Sequence, residues 1–353
     1  MSGTRAPAAT GIVDAVVHPA VRGTEQLREF QAEPWKSKAM PAAERYFYPN
    51  PIGEFAAEAK QPEGPSGSDP DAVAGRLFGR DGCEQAILLP LTRGLMPDPE
   101  HGSSICAATN DWLAATWLGS SNADGRFKGS IRVNPLDPAG AAKEVERWAG
   151  HPDMVQVALP LQAHHPYGQR LYLPLWETVA KHDLPVVIHA DGGAGVEFWP
   201  TAVGYPRHFI EYAALNPLNG YFHLLSFICE GVFDRFENFR VLFADGGFDF
   251  LTPFIWRMDK GWLSLRSETP WVSKLPVRYL EDHVRFAYSR HEGPAQEAEF
   301  SRWLEMGGDR LLLYASNYPY WDSTSPKEVA ERFAGDESRR RVLGENAKDF
   351  YRL

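Results

Sequence analysis

Short apolar runs recur along the chain, too continuous for half-exposed strands and too brief for helices, as in a parallel sheet covered on both faces. They are GIVDAVVHPA (11–20), QAILLPL (85–91), FKGSIRV (127–133), MVQVALP (154–160), LPVVIHA (184–190), FRVLFAD (239–245), HVRFAYS (283–289) and RLLLYAS (310–316). Helical patterns lie between them: SSICAATNDWLAATWLG, opening on Ser103, DPAGAAKEVERWAG with an Asp-Pro start, YLPLWETVAKHD, YFHLLSFICEGVFDRF and PFIWRMDKGWLSL. Eight strand–helix units in alternation predict an α/β fold, a (β/α)8 TIM barrel. The chain is longer than a bare barrel and predicts loop insertions at 22–70 and 191–206. A doubly wound open sheet is the rival, but no glycine-rich phosphate turn follows the first strand. Residues 11–353 read as one domain after a disordered N-terminus at 1–10.

Chemistry in such a barrel sits at the C-terminal ends of the strands. The first strand ends on Asp14, Val16 and His18, which alternation would aim at one face. His189 closes the fifth strand and Asp245 the sixth; Arg290 and His291 follow the seventh, and Asn317, Tyr320 and Asp322 the eighth. Converging histidines and carboxylates hold a divalent metal, or else form a metal-free acid/base set. His164 and His165 after the fourth strand, Arg207, His208, Arg290 and His291 are candidates to recognise a substrate carboxylate. The aromatic stretches containing Trp199 and Tyr320 read either as a pocket lining or as core and subunit interface. Asn110 and Asp111 read as a polar helix face.

Composition narrows the partners. The net charge of −10 opposes nucleic acid and anionic membranes, and no run approaches the length of a membrane span. The first ten residues have no signal-peptide pattern, and Cys83, Cys106 and Cys229 show no pairing motif, which together predict a cytoplasmic protein with buried thiols. No GxSxG elbow and no phosphate-loop lysine is present.

The segments DAVVHP, NDWLAATWL, LPVVIHADGG, GVFDRFENFRVLFADGGFDFLTPFIWRMDKGW, LLLYASNYPYWD and ENAKDFYRL resemble the amidohydrolase superfamily, in the branch of aminocarboxymuconate-semialdehyde decarboxylase. That resemblance implies a TIM barrel and a metal-dependent decarboxylase, hydratase or hydrolase of small carboxylated or aromatic compounds. It also implies a homo-oligomer. In that branch the first strand carries an acid or histidine two residues before a ligand histidine. The fifth strand adds a ligand histidine, the sixth a histidine or glutamate, and the eighth an aspartate. His18 and His189 match ligand positions, and Asp245 takes the sixth-strand position with a shorter acid. Val16 and Asn317 stand where ligands are expected, and Tyr320 replaces a histidine.

A valine donates nothing to a cation and an amide is a weaker donor than a carboxylate, so no cofactor is expected. The alternative is a residual Zn or Mn site on His18, His189 and Asp245. Without a metal there is no activated water. The remaining set, Asp14, His18, His189, Asp245 and Asn317, suits elimination, decarboxylation, cyclisation or rearrangement of a small molecule, as in specialised biosynthesis. The other alternative is a non-catalytic, metabolite-binding relative.

Overall fold

A computed structural model describes residues 11–38, 52–91, 96–190, 201, 203–289 and 291–353. The 1–10 segment, Trp199, Arg290 and most of the 191–206 insertion lie outside the described residues.

All eight expected strands form: β1 (Ile12–Val17), β2 (Cys83–Leu88), β3 (Phe127–Arg132), β4 (Met154–Pro160), β5 (Val186–His189), β6 (Val241–Phe243), β7 (Val284–Tyr288) and β8 (Leu312–Tyr314). Each pairs in parallel with the next in chain order. The ring closes just past the ends of β8 and β1. His18 N–H donates to Tyr318 C=O at 2.8 Å and Asn317 N–H to Val16 C=O at 3.1 Å. This seam runs through two of the candidate site residues.

The outer layer includes helices α1 (Pro70–Ala74), α2 (Pro99–Thr116), α3 (Pro138–Trp148), α4 (Leu173–Lys181), α5 (Phe209–Leu215), α6 (Leu218–Cys229), α7 (Leu251–Leu265), α8 (Glu297–Gly307) and α9 (Asn346–Tyr351). Helices α1, α2 and α3 each begin on Asp-Pro. The carboxylate accepts the free first-turn N–H groups, and the proline occupies a position where no N–H is needed. Thus α2 opens at Pro99 rather than at Ser103, since Asp98 accepts from the backbone N–H of Glu100 and His101. The pattern 221–236 is not one helix: α6 ends at Cys229, and Gly231 turns the chain at φ +71° before a short second helix.

The strands bury two cores. Outward side chains such as Val17, Leu88, Ile131 and Val157 pack under the helices, while Val13, Ala15, Val187, Leu242 and Leu313 fill the barrel interior. Phe350 and Tyr351 of α9 belong to that interior cluster and close its N-terminal end, Tyr351 OH donating to Gln156 Oε1 at 3.0 Å. Gln156 Nε2 in turn donates to Ser130 Oγ at 2.7 Å, so these interior polar atoms are paired.

One expectation about β1 fails. The pairing steps from Asp14↔Ala86 to Val17↔Leu88, three residues against two, which is a β-bulge. Ala15 and Val16 therefore both face the interior and Val17 faces out. The bulge puts Asp14 out of phase with Val16 and His18. Its Oδ1 accepts from Val16 N–H at 3.3 Å and Ser316 N–H at 2.9 Å, pinning the bulge to the seam.

Candidate functional site

At the C-terminal mouth lies a cavity of about 500 Å³, lined by Val16, His189, Asp245, Asn317, Tyr320 and His291 among others. His18 sits directly against it. Its ring lies 4.7 Å from that of His189 and 5.1 Å from that of Tyr320, centroid to centroid. Described residues of the first insertion cover this side. Phe55 stacks on Tyr320 at 5.5 Å, and Ala56 N–H donates to Pro319 C=O at 3.0 Å.

Both imidazoles are oriented by backbone. His18 Nδ1 lies 2.9 Å from Leu89 C=O, and His189 Nδ1 lies 2.5 Å from Ala190 C=O. A carbonyl only accepts, so each Nδ1 carries hydrogen. Burial disfavours the His189 cation and lowers its pKa to about 4, leaving it neutral at pH 7 with an Nε2 lone pair. That nitrogen is 4.0 Å from Asp245 Oδ1.

Asp245 is held by its own neighbours, Oδ2 accepting from Ala190 N–H at 2.6 Å and Oδ1 from Asn216 Nδ2 at 3.2 Å. Burial outweighs these hydrogen bonds and raises its pKa to about 7. Asp245 is therefore partly protonated near neutrality while His189 is not.

Two acids that the sequence reading did not single out also line the cavity, Asp249 and Glu292. They clasp each other's loops: Gly293 N–H donates to Asp249 at 2.8 Å and Gly247 N–H to Glu292 at 3.3 Å. Burial raises both pKa values, and the neighbouring Asp249 charge adds to the rise at Glu292. Gly246, at φ +75°, admits Glu292, since a Cβ there would lie 2.2 Å from its Oε1. The one sequence signal was an acid flanked by His291 and Gly293, just after a strand end.

Other candidates fall outside the cavity. Asp14 is wholly buried in the β1–β8 seam, its pKa raised to about 7 by that burial. His165 is exposed, and His208 caps α5, where Glu211 closes a capping box. His291, by contrast, lines the cavity, 6.0 Å from the Trp321 ring.

The donors at the mouth are engaged with protein partners. Among the described residues no three His, Cys, Asp or Glu side chains converge in a group that could hold one. Val16 faces the cavity, His18 Nε2 is hydrogen-bonded to Asn317 Oδ1 at 2.7 Å, and Asp245 is turned onto Ala190 and Asn216. Among the described residues no helix is long and apolar enough to cross a membrane.

The sequence profile described as Amidohydrolase matches residues 96–353. Gamma-resorcylate decarboxylase of Polaromonas sp. is 24% identical over 306 residues, 79% of this chain and 86% of that protein. An amidohydrolase from Mycobacterium avium subsp. paratuberculosis superposes with a TM-score of 0.77 at 19% identity, over 97% of this chain and 98% of that one. A dihydroxybenzoic acid decarboxylase from Polaromonas sp., solved with bound manganese and the inhibitor 2-nitroresorcinol, gives a TM-score of 0.68 at 18% identity, with 97% of each chain covered. At such identities the structural likeness speaks to the fold.

Proposed function

The chain belongs to the amidohydrolase family, and from that premise we propose an enzyme that moves protons at the barrel mouth without a resident metal, decarboxylating a small aromatic carboxylate. The observation that carries the reading is the pair His189 and Asp245, with the basic nitrogen neutral and the acid able to hold a proton near pH 7. The likeness to a decarboxylase of an aromatic acid supports the substrate class.

In this mechanism Asp245, as the carboxylic acid, gives its proton to the ring carbon bearing the carboxylate. The bond from that carbon to the carboxylate then breaks, its electrons restore the aromatic ring, and carbon dioxide leaves. One proton is consumed, and Asp245 regains it from solvent through His189, whose Nε2 can accept. Glu292, its pKa raised to about 8 chiefly by burial, holds a proton at pH 7, which reduces repulsion of an anionic substrate; burial shifts Asp249 and Asp322 in the same direction. Asn317 and His291 offer hydrogen-bond donors from the rim.

The test is carbon dioxide release from a panel of hydroxybenzoates by chelator-treated protein, with metal content measured on the same sample. Turnover without metal, lost in His189→Gln and Asp245→Asn, is expected. One equivalent of manganese or zinc in the purified protein, with activity that vanishes on chelation and returns on its addition, would overturn the metal-free part. A folded protein with no turnover on any substrate would favour a metabolite-binding role.

A further inference from the structure

Helix α5, with the sequence FIEYAAL, buries none of its residues, and Ile210 is 75% exposed. Its single charge is engaged at its own start, where Glu211 accepts from the backbone N–H of Arg207 and His208. Phe209, Ile210, Tyr212, Ala213 and Ala214 all line the mouth cavity, and the two residues that do not, Glu211 and Leu215, stand four apart on the opposite face. An apolar helix face that forms the wall of a cavity instead of joining the core is suited to an apolar occupant. The helix also sets the length of that wall. Asn216, at its C-terminal end, donates to Asp245 at 3.2 Å, and the ring of Phe209, at its start, lies 6.0 Å from that of Trp321. Seven residues at ~1.5 Å each place the two ends about 10 Å apart.

We propose that the substrate carries a second ring: its carboxylate end sits by Asp245 and His189, and an apolar aromatic arm runs along α5 to Phe209, Ile210 and Trp321. This rests on the reading of the cavity as a decarboxylase site and names its substrate class, a two-ring aromatic acid. The volume agrees. A cavity of about 150 Å³ already holds benzene, whereas this one offers about 500 Å³. A single ring at Asp245 would leave the outer wall in water. A second ring, in face or edge contact with Phe209 and Trp321, removes that apolar surface from water and gives the exposed side of Ile210 a partner.

The experiment is calorimetric binding to the full-length protein at pH 7 of 2-nitrophenol and of its 4-phenyl and 5-phenyl derivatives, in which a nitro group keeps the shape of the carboxylate but cannot leave as carbon dioxide. At least one phenyl derivative should bind ~10-fold or more tightly than 2-nitrophenol. Ile210→Asp places a charge beside the arm at an exposed position, where substitution seldom affects folding, and should cut that ratio ~5-fold or more. Ile210→Leu should keep it. No preference for a second ring, no binding of any of the three compounds, or a ratio that Ile210→Asp leaves unchanged overturns the proposal. Sedimentation of the same variant reads the other occupant: a dimer that it splits while the ratio stands means that a second copy covers α5, and this too overturns the proposal. Because binding needs no turnover, failure of the decarboxylase reading and failure of this one are separately visible.

Discussion

Replacing Asp245 by Asn should remove one contribution to the pH dependence of stability in a defined window. The carboxyl moves from 3.8 to about 7 on folding, and each pKa unit is worth ~1.36 kcal/mol, so its ionisation opposes folding by about 4 kcal/mol at most. With the folded pKa raised, stability from the protonated form is fully present below 3.8 and is lost as pH rises through about 7. The Asn variant has no such term. It carries instead a pH-independent cost of ~1 kcal/mol, because its NH2 replaces one accepting oxygen and leaves either Ala190 N–H or Asn216 Nδ2 without an acceptor. His189, lowered to about 4, loses stability as pH falls below 6.5, but it does so in both proteins and cancels in their difference. Urea unfolding followed by tryptophan fluorescence, at a series of pH values spanning both pKa values, gives that difference directly. The variant should gain on the wild type by up to ~4 kcal/mol across the window, ending more stable in mild base, while turnover falls ~10²- to 10⁴-fold. Parallel stability curves would refute the claim that burial holds a proton on Asp245.

Other outcomes follow from the same geometry. The double variant Val16→Asp/Asn317→Asp restores two carboxylates beside His18 and should bind one manganese ion per chain, measured by elemental analysis after dialysis; a wild type that already retains one would remove the reason for the gain. Asp14→Ala leaves the N–H groups of Val16 and Ser316 without their acceptor and should cost roughly 2–4 kcal/mol in chemical denaturation; a loss under ~0.5 kcal/mol would show that the bulge does not depend on it. Gly246→Ala combines φ +75° with a Cβ 2.2 Å from Glu292 Oε1. It should destabilise by about 1–2 kcal/mol, and pairing it with Glu292→Ala should relieve the clash but not the backbone strain. If the second substitution changes nothing, Glu292 does not occupy that space.

The eight strands were legible because buried parallel strands read as unbroken apolar runs, and each of their ends was a place to look for chemistry. His189, Asp245, Asn317 and Tyr320 were found in this way, and all line one cavity. Asp14 shows where alternation misleads. A bulge adds one residue and changes which side chains share a face, and it depends on a hydrogen bond to Ser316 from the far end of the chain. Asp249 and Glu292 were not singled out, since each alone is an ordinary loop acid. Only the packing of two neighbouring loops puts them side by side.

The sequence by itself determined the barrel and the residue types at its mouth, because periodicity and strand ends are local properties of the chain. Val16 and Asn317 were already visible there as poor donors to a cation. Tertiary structure alone decided the protonation of the acids and the direction of each hydrogen bond. Those depend on how deeply a group is buried and which donors surround it, and such neighbours come from strands far apart in sequence.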